Sequence, residues 1–229
     1  MSIIPQIAPE VYALRPDFMA LSIQAANASN APSDNHSFGL LREACHNIVT
    51  EPWAEAHLES WREAYRGFGA KPQRTPCSAE ALRKRALRDN ALPAVNAVVD
   101  LYNAVSLRYA LPVGGEDSAF YDGNPLLKRA TGNEPFDTVS EGQPKIEPVD
   151  QGEVIWSDRQ GVTCRRWNWR QGTRTRITEN STGMWFVLER LDPMPIAALM
   201  EAGHHLIDGL KRLNASVSIT QLLLQKSPN

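Results

Sequence analysis

PAVNAVVDLYNAVSLRYALPVGGED, residues 93–117, changes its periodicity partway along. Val95, Val98, Val99, Tyr102, Val105 and Leu107 recur at the intervals of one helix face. Pro93 suits the first turn of that helix, where its missing N–H has no intrahelical partner to lose. After Pro112 the apolar spacing shortens. Gly114-Gly115 then opens a tract rich in Gly, Pro, Asn and Asp that continues to Glu153, the composition of short strands joined by turns. A helix that delivers the chain into a β-rich middle is the pivot of an α+β fold.

On the N-terminal side, Phe18–Ala25 alternates and predicts a strand. Residues 37–68 read as helical, divided by Pro52 and ended by Gly67 and Gly69. Ser78 is placed to cap a further helix, with Glu80 in its first turn and Arg83, Lys84, Arg85 and Arg88 toward its end. On the C-terminal side, EVIWSD (153–158) and VTCRRWNWR (162–170) flank Arg159-Gln160-Gly161 and predict a hairpin. Arg174–Thr178 and Met184–Leu191 are further strand candidates. Pro195 opens a helix to Leu213, with Ile196, Leu199, Met200, His204, Ile207 and Leu210 as its inner stripe. The β-rich tail 215–225 is fit to close a sheet edge. The expectation is α+β, one domain over 1–229. Helix 93–109 and its neighbours would pack on a mostly antiparallel sheet containing both 153–170 and 184–190.

Composition narrows the function. The 229 residues are 42% hydrophobic and 22% charged, which excludes global disorder, collagen and coiled coil. With 24 basic and 26 acidic residues the net charge is −2, so a polyanionic partner would need a local patch. Cys45, Cys77 and Cys164 are odd in number and form no CxxC, against a disulfide framework or a zinc ribbon. A reducing cytoplasm is the expected compartment. The N-terminus lacks the basic start and apolar core of a leader, and no window approaches a membrane-spanning length. His204 and His205 are adjacent, so on a helix they diverge and cannot chelate one metal. There is no GxSxG, HExxH or P-loop, and no cofactor or metal is expected.

Two features could carry chemistry. Six arginines (159, 165, 166, 170, 174 and 176) fall in one tract that no acidic residue interrupts. Strand alternation would put Arg166, Asn168 and Arg170 on one face and Arg165, Trp167, Trp169 and Gln171 on the other. Arginine binds phosphate or carboxylate and tryptophan stacks on bases, so the tract is either an anion or nucleic-acid contact or a core strand with ion-paired arginines. The cluster Arg83, Lys84, Arg85 and Arg88 is either an extension of that track or charge complementing a helix end. Asn96, Asp100 and Asn103 share a helix face, as a polar cavity wall or as a solvated surface.

NAVVDLYNAVSLRYALPVGGED (96–117), GEVIWSDRQGVTCRRWNWRQGTRT (152–175) and TENSTGMWFVLERLDPMPIAAL (178–199) together resemble free-standing B3/B4-domain proteins. They are likewise similar to the B3/B4 editing region of the phenylalanyl-tRNA synthetase β subunit. The resemblance covers about 60–215 and keeps the motifs in order. It implies a trans-editing deacylase that cleaves the ester of a mischarged, aminoacylated tRNA in the cytoplasm, without a nucleotide cofactor. Asn103 matches an asparagine of the editing pocket and Glu189 a glutamate that contacts the amino acid. Tyr102 replaces a threonine, Gly114 stands in place of a histidine, and Asp117 keeps an aspartate. The resemblance therefore implies catalytic roles for Asn103, Asp117 and Asn168. It implies substrate contacts from Asn96, Asp100, Tyr102 and Glu189, and tRNA contacts from Arg83, Lys84, Arg85, Arg88, Arg166 and Arg170. An activated ester needs no Ser or Cys nucleophile: a held water, oxyanion donors and a ribose hydroxyl relay suffice. An RNA-binding module without hydrolysis and an amino-acid sensor are the alternatives.

Overall fold

The structure is a computed structural model that describes residues 3–48 and 51–226. Short β1 (Gln6–Ile7) and α1 (Pro9–Leu14) lead into β2 (Met19–Ala26). Four helices follow: α2 (Asn35–His46), α3 (Ala54–Gly67), α4 (Ser78–Asp89) and α5 (Ala97–Tyr109). The β-rich middle supplies β3 (Val113–Asp117), β4 (Leu126–Arg129), β5 (Pro135–Ser140) and β6 (Gln143–Pro148). It continues with β7 (Val154–Ser157), β8 (Val162–Arg165) and β9 (Arg170–Gln171). β10 (Met184–Arg190), α6 (Ile196–Leu213) and β11 (Ser218–Gln225) complete the chain, which is α+β.

The strands form two sheets. One is antiparallel, in the order β11-β2-β10-β3. The other runs β1-β4-β7-β8-β5-β6, with β9 paired to β8. Residues 153–170 thus belong to the second sheet, not to the sheet that carries 184–190. The parity of β2 and β10 explains why two layers are needed. Leu21, Ile23 and Ala25, with Met184, Phe186 and Leu188, bury against α5 and α6. Ala20, Trp185 and Val187 point the other way, into a cluster with Trp156 and Trp167. A strand buried at every position, as β10 is, must be covered on both faces.

Several local expectations change. α5 begins at Ala97 because the Asn96 side chain caps it, accepting from the Val99 N–H at 3.0 Å; Pro93 lies outside the helix. Ser78 is the first helical residue of α4 and not its cap, and its hydroxyl is buried without a partner. Residues 174–178 form turns with one bridge, Glu116 to Arg176, because the Arg174 guanidinium is held by Asp158 at 2.8 Å through both nitrogens. On α6 the buried stripe is Leu199, Ala202, Gly203, Leu206, Ile207 and Leu210, with His204 and Ile196 exposed.

Candidate functional site

The Arg-Trp strand stops at Arg165. Arg166 and Trp167 adopt positive φ (47° and 67°), and the Trp169 N–H donates back to the Arg165 carbonyl at 3.1 Å. The chain therefore reverses in four residues, so that Arg165 faces Arg170 across β8 and β9. The expected alternation of 165–171 is lost, and Trp167 and Asn168, neighbours in sequence, are both buried. Trp167 drives this reversal by inserting its indole between Phe18 (5.0 Å) and Trp61 (5.3 Å).

The reversal carries Asn168 into the space between the sheets, where it meets Glu189. The Asn168 amide donates to Glu189 Oε2 at 2.8 Å, and its oxygen accepts from the Tyr65 hydroxyl at 2.9 Å. Trp156 Nε1 donates to Glu189 Oε1 at 2.9 Å. Glu189 is 1% exposed. Burial raises its carboxyl to about 8, outweighing the opposing Asn168, Trp156 and Trp167 hydrogen bonds, and the nearby Glu116 adds to the rise.

Glu116, on β3, is the second buried acid. It accepts from the Tyr121 hydroxyl, whose oxygen lies 3.1 Å from the Thr163 hydroxyl and accepts from it. Burial raises Glu116 to about 7, with the Tyr121, Thr175 and Thr163 hydroxyls pulling it back. The Cys164 thiol, raised by burial first and then by both carboxylates, marks the ground between them. The buried Trp167 Nε1 and Thr175 Oγ1 also turn toward these acids, Trp167 toward Glu189 and Thr175 toward Glu116. Half-buried Cys164 and Gln171 pair across β8 and β9, and the Gln171 amide donates to the Gly115 carbonyl next to half-buried Gly114. Two carboxyls near neutrality can take or give a proton at working pH.

Other anticipated residues lie elsewhere. Asn96 caps α5. Asp100 accepts from the Val95 N–H at 2.9 Å and the Ser33 hydroxyl at 2.5 Å, which ties the start of α5 to the 31–34 loop. Asp117 accepts from the Ala119 N–H and the Ser181 hydroxyl. Tyr102 rests on Gly115 and Phe186, on the α5 side of the sheet, whereas Glu189 projects from the opposite side. Asn103 sits half-buried on α5. Asn168 and Glu189 are thus brought together, and α5 is separated from them by the sheet. Glu116, Tyr65 and Trp156 escaped the sequence reading. Glu116 lies in VGGED, whose Gly-Gly-Glu-Asp run reads as a turn and not as a buried strand.

Most tract arginines are spent on acids distant in sequence. Arg165 pairs with Glu153 at 2.8 Å, Arg174 with Asp158, Arg159 with Asp122 and Arg166 with Asp150 at 3.3 Å. Arg170 is exposed, and the guanidiniums of Arg166 (4.6 Å) and Arg170 (5.9 Å) both approach the Trp169 ring. On α4, Lys84 pairs with Glu80, and Arg85 and Arg88 with Asp89; Arg83 donates to the Leu107 carbonyl. Beside Arg166 a cleft of about 500 Å³ is lined by Lys71 and Arg74. Among the described residues no His, Cys, Asp and Glu group could hold a metal ion, and no helix is long and apolar enough to cross a membrane.

A family model for the B3/4 domain matches residues 60–206. No curated protein matches the sequence. Among solved structures, the chain is similar to an N-terminal fragment of the phenylalanyl-tRNA synthetase β-subunit from Pyrococcus horikoshii. The identity is 9% and the TM-score 0.47, with 99% of this chain and 55% of that chain covered. The chain thus spans about half the length of that fragment.

Proposed function

Because this chain belongs to the B3/4 domain family, we propose that it hydrolyses the ester linking a wrong amino acid to a tRNA, with 1–229 acting as one domain. The observation that supports this reading best is the pair of buried acids, Glu116 and Glu189, flanked by the Trp167 and Thr175 donors. In this reading the Glu116 carboxylate takes a proton from a water as its oxygen attacks the ester carbonyl. Trp167 Nε1 and the Asn168 amide supply donors for the developing oxyanion. Collapse breaks the bond to the ribose oxygen, which receives the proton back from Glu116. Free amino acid and deacylated tRNA leave. Glu189 sets the amino-acid preference. Entry is by the half-buried edge at Gly114, Cys164 and Gln171.

The Arg166–Trp169–Arg170 stack favours a tRNA contact beside that edge, and equally supports the reading in which the domain binds RNA without hydrolysis. Deacylation of a panel of mischarged tRNAs decides between them. Glu116→Gln should slow the best substrate about 10²-fold or more, the usual cost of removing a proton-transfer group. If the wild type cleaves none of the panel yet binds tRNA with a steep salt dependence, the binding reading replaces the catalytic one.

A further inference from the structure

A cleft of about 480 Å³ opens between α2, α5 and α6, away from the buried acids. Its size is that of small-molecule sites, which run from about 300 to 1,000 Å³. α5 supplies an apolar floor of Leu101, Ala104 and Val105. Gly209 on α6 also lines it. A Cβ there would stand 2.5 Å from the Leu101 side chain, so α6 approaches α5 closely at this one level. The Tyr109 hydroxyl lies 2.6 Å from His205 Nδ1, which makes the two helices antiparallel and puts Arg108 beside His205 at one end of the cleft.

The rim carries charges of both signs: Glu43 on α2, Arg108 on α5, and Asp208 and Arg212 on α6. Among the described residues none of these four forms an ion pair or a side-chain hydrogen bond. Arg108 has only the Tyr109 ring, 5.8 Å away. Several basic side chains elsewhere are paired: Arg62 engages Glu55, Glu59 and Glu80. Unmatched acids and bases around one apolar floor are complementary to a small molecule that carries an ammonium, a carboxylate and an apolar body.

We propose that this cleft binds a free apolar α-amino acid. Glu43 and Asp208 hold the ammonium, Arg108 holds the carboxylate, and the side chain lies on Leu101, Ala104 and Val105. The site is independent of the hydrolytic reading, since binding is measured without tRNA.

The test is calorimetric titration of the full chain with L-leucine, L-isoleucine, L-methionine and L-phenylalanine. N-acetyl-L-leucine, which lacks the ammonium, and L-leucinamide, which lacks the carboxylate, serve as controls. Saturable binding of at least one free amino acid is expected, with each blocked leucine about tenfold weaker or more, the worth of a charge-assisted hydrogen bond. The exposed double variant Glu43→Gln/Asp208→Asn should weaken leucine without changing N-acetyl-leucine. Arg108→Gln should do the converse for leucinamide. Melting curves check folding, and Glu189→Gln should bind as wild type does. Absence of saturable binding at millimolar concentrations overturns the proposal. So does equal affinity for free and blocked leucine, or leucine binding that the rim variants leave unchanged while Glu189→Gln abolishes it.

Discussion

Raising the pH from 6.5 to 8.5 should destabilise this protein, and Glu189 should account for most of the loss. Glu189 stands at about 8 and Glu116 at about 7 in the folded chain, both raised chiefly by burial. A carboxyl raised by folding binds its proton more tightly when folded, so its stabilising contribution is complete below the unfolded value. It is lost as pH rises through the folded value. His57 works the other way. Burial lowers it to about 4, so stability gained from it rises with pH only up to its unfolded value of about 6.5. Between pH 6.5 and 8.5 the two acids therefore act alone among these three. Integrating the linkage gives a loss of roughly 3 kcal/mol, about two-thirds of it from Glu189. For a chain of this size that is a fall of about 6–12 °C in Tm. Protonating Glu189 requires one of its oxygens to donate. The Asn168 amide can turn to accept, leaving its NH₂ to donate to the Tyr65 oxygen. Glu189→Gln copies that arrangement, so the variant should melt near the wild type at pH 6.5 and keep only a third of its slope. Thermal melts by circular dichroism at several pH values read both quantities. A flat or rising wild-type profile, or a variant with the full slope, would refute the assignment.

Arg165→Ala removes the guanidinium that Glu153, 3% exposed, engages at 2.8 and 3.1 Å. Urea unfolding should show a loss of about 3 kcal/mol, the cost of stranding a buried charge, and a change under 1 kcal/mol would mean that Glu153 takes up a proton instead. Gly203→Ala puts a Cβ 2.3 Å from Leu21 Cδ2. The forced shift should cost about 1–3 kcal/mol and outweigh the gain in helix propensity, so a stabilised variant would contradict the tight approach of α6 to β2. Arg170→Ala should lower the salt slope of tRNA binding by about 1, while Arg166→Ala, already paired with Asp150, should lower it less. Filter binding across a salt series would show the reverse order if Arg166 were the phosphate contact.

Periodicity carried much of the fold because it is local. The stripe of α5, the punctuation at Pro52 and the alternation of 18–25 each depend on neighbours within a few residues. The number of sheets does not. Nothing in MWFVLER says that Trp185 and Val187 will face a second sheet, because five successive apolar residues are silent about what covers each side. The candidate site inherited that ambiguity. Glu189 is opposite Ala20 in the register, on the side where Trp156 and Asn168 can reach it. A slip of one residue would have turned it toward α5 and made the pairing with Asn103 possible.

The reversal at Arg166 was hidden for a different reason. Neither Arg166 nor Trp167 is a residue type that advertises positive φ, and two such residues cost about 1–2 kcal/mol each. Burying one indole removes about 200 Å² from water and is worth about 5 kcal/mol. Trp167, fully buried against Phe18 and Trp61, can therefore hold the backbone where glycine would ordinarily be needed. The strain is local, but the gain that outweighs it comes from residues more than a hundred positions away. Replacing Trp167 should for that reason disturb Asn168 and Glu189 before it disturbs either sheet.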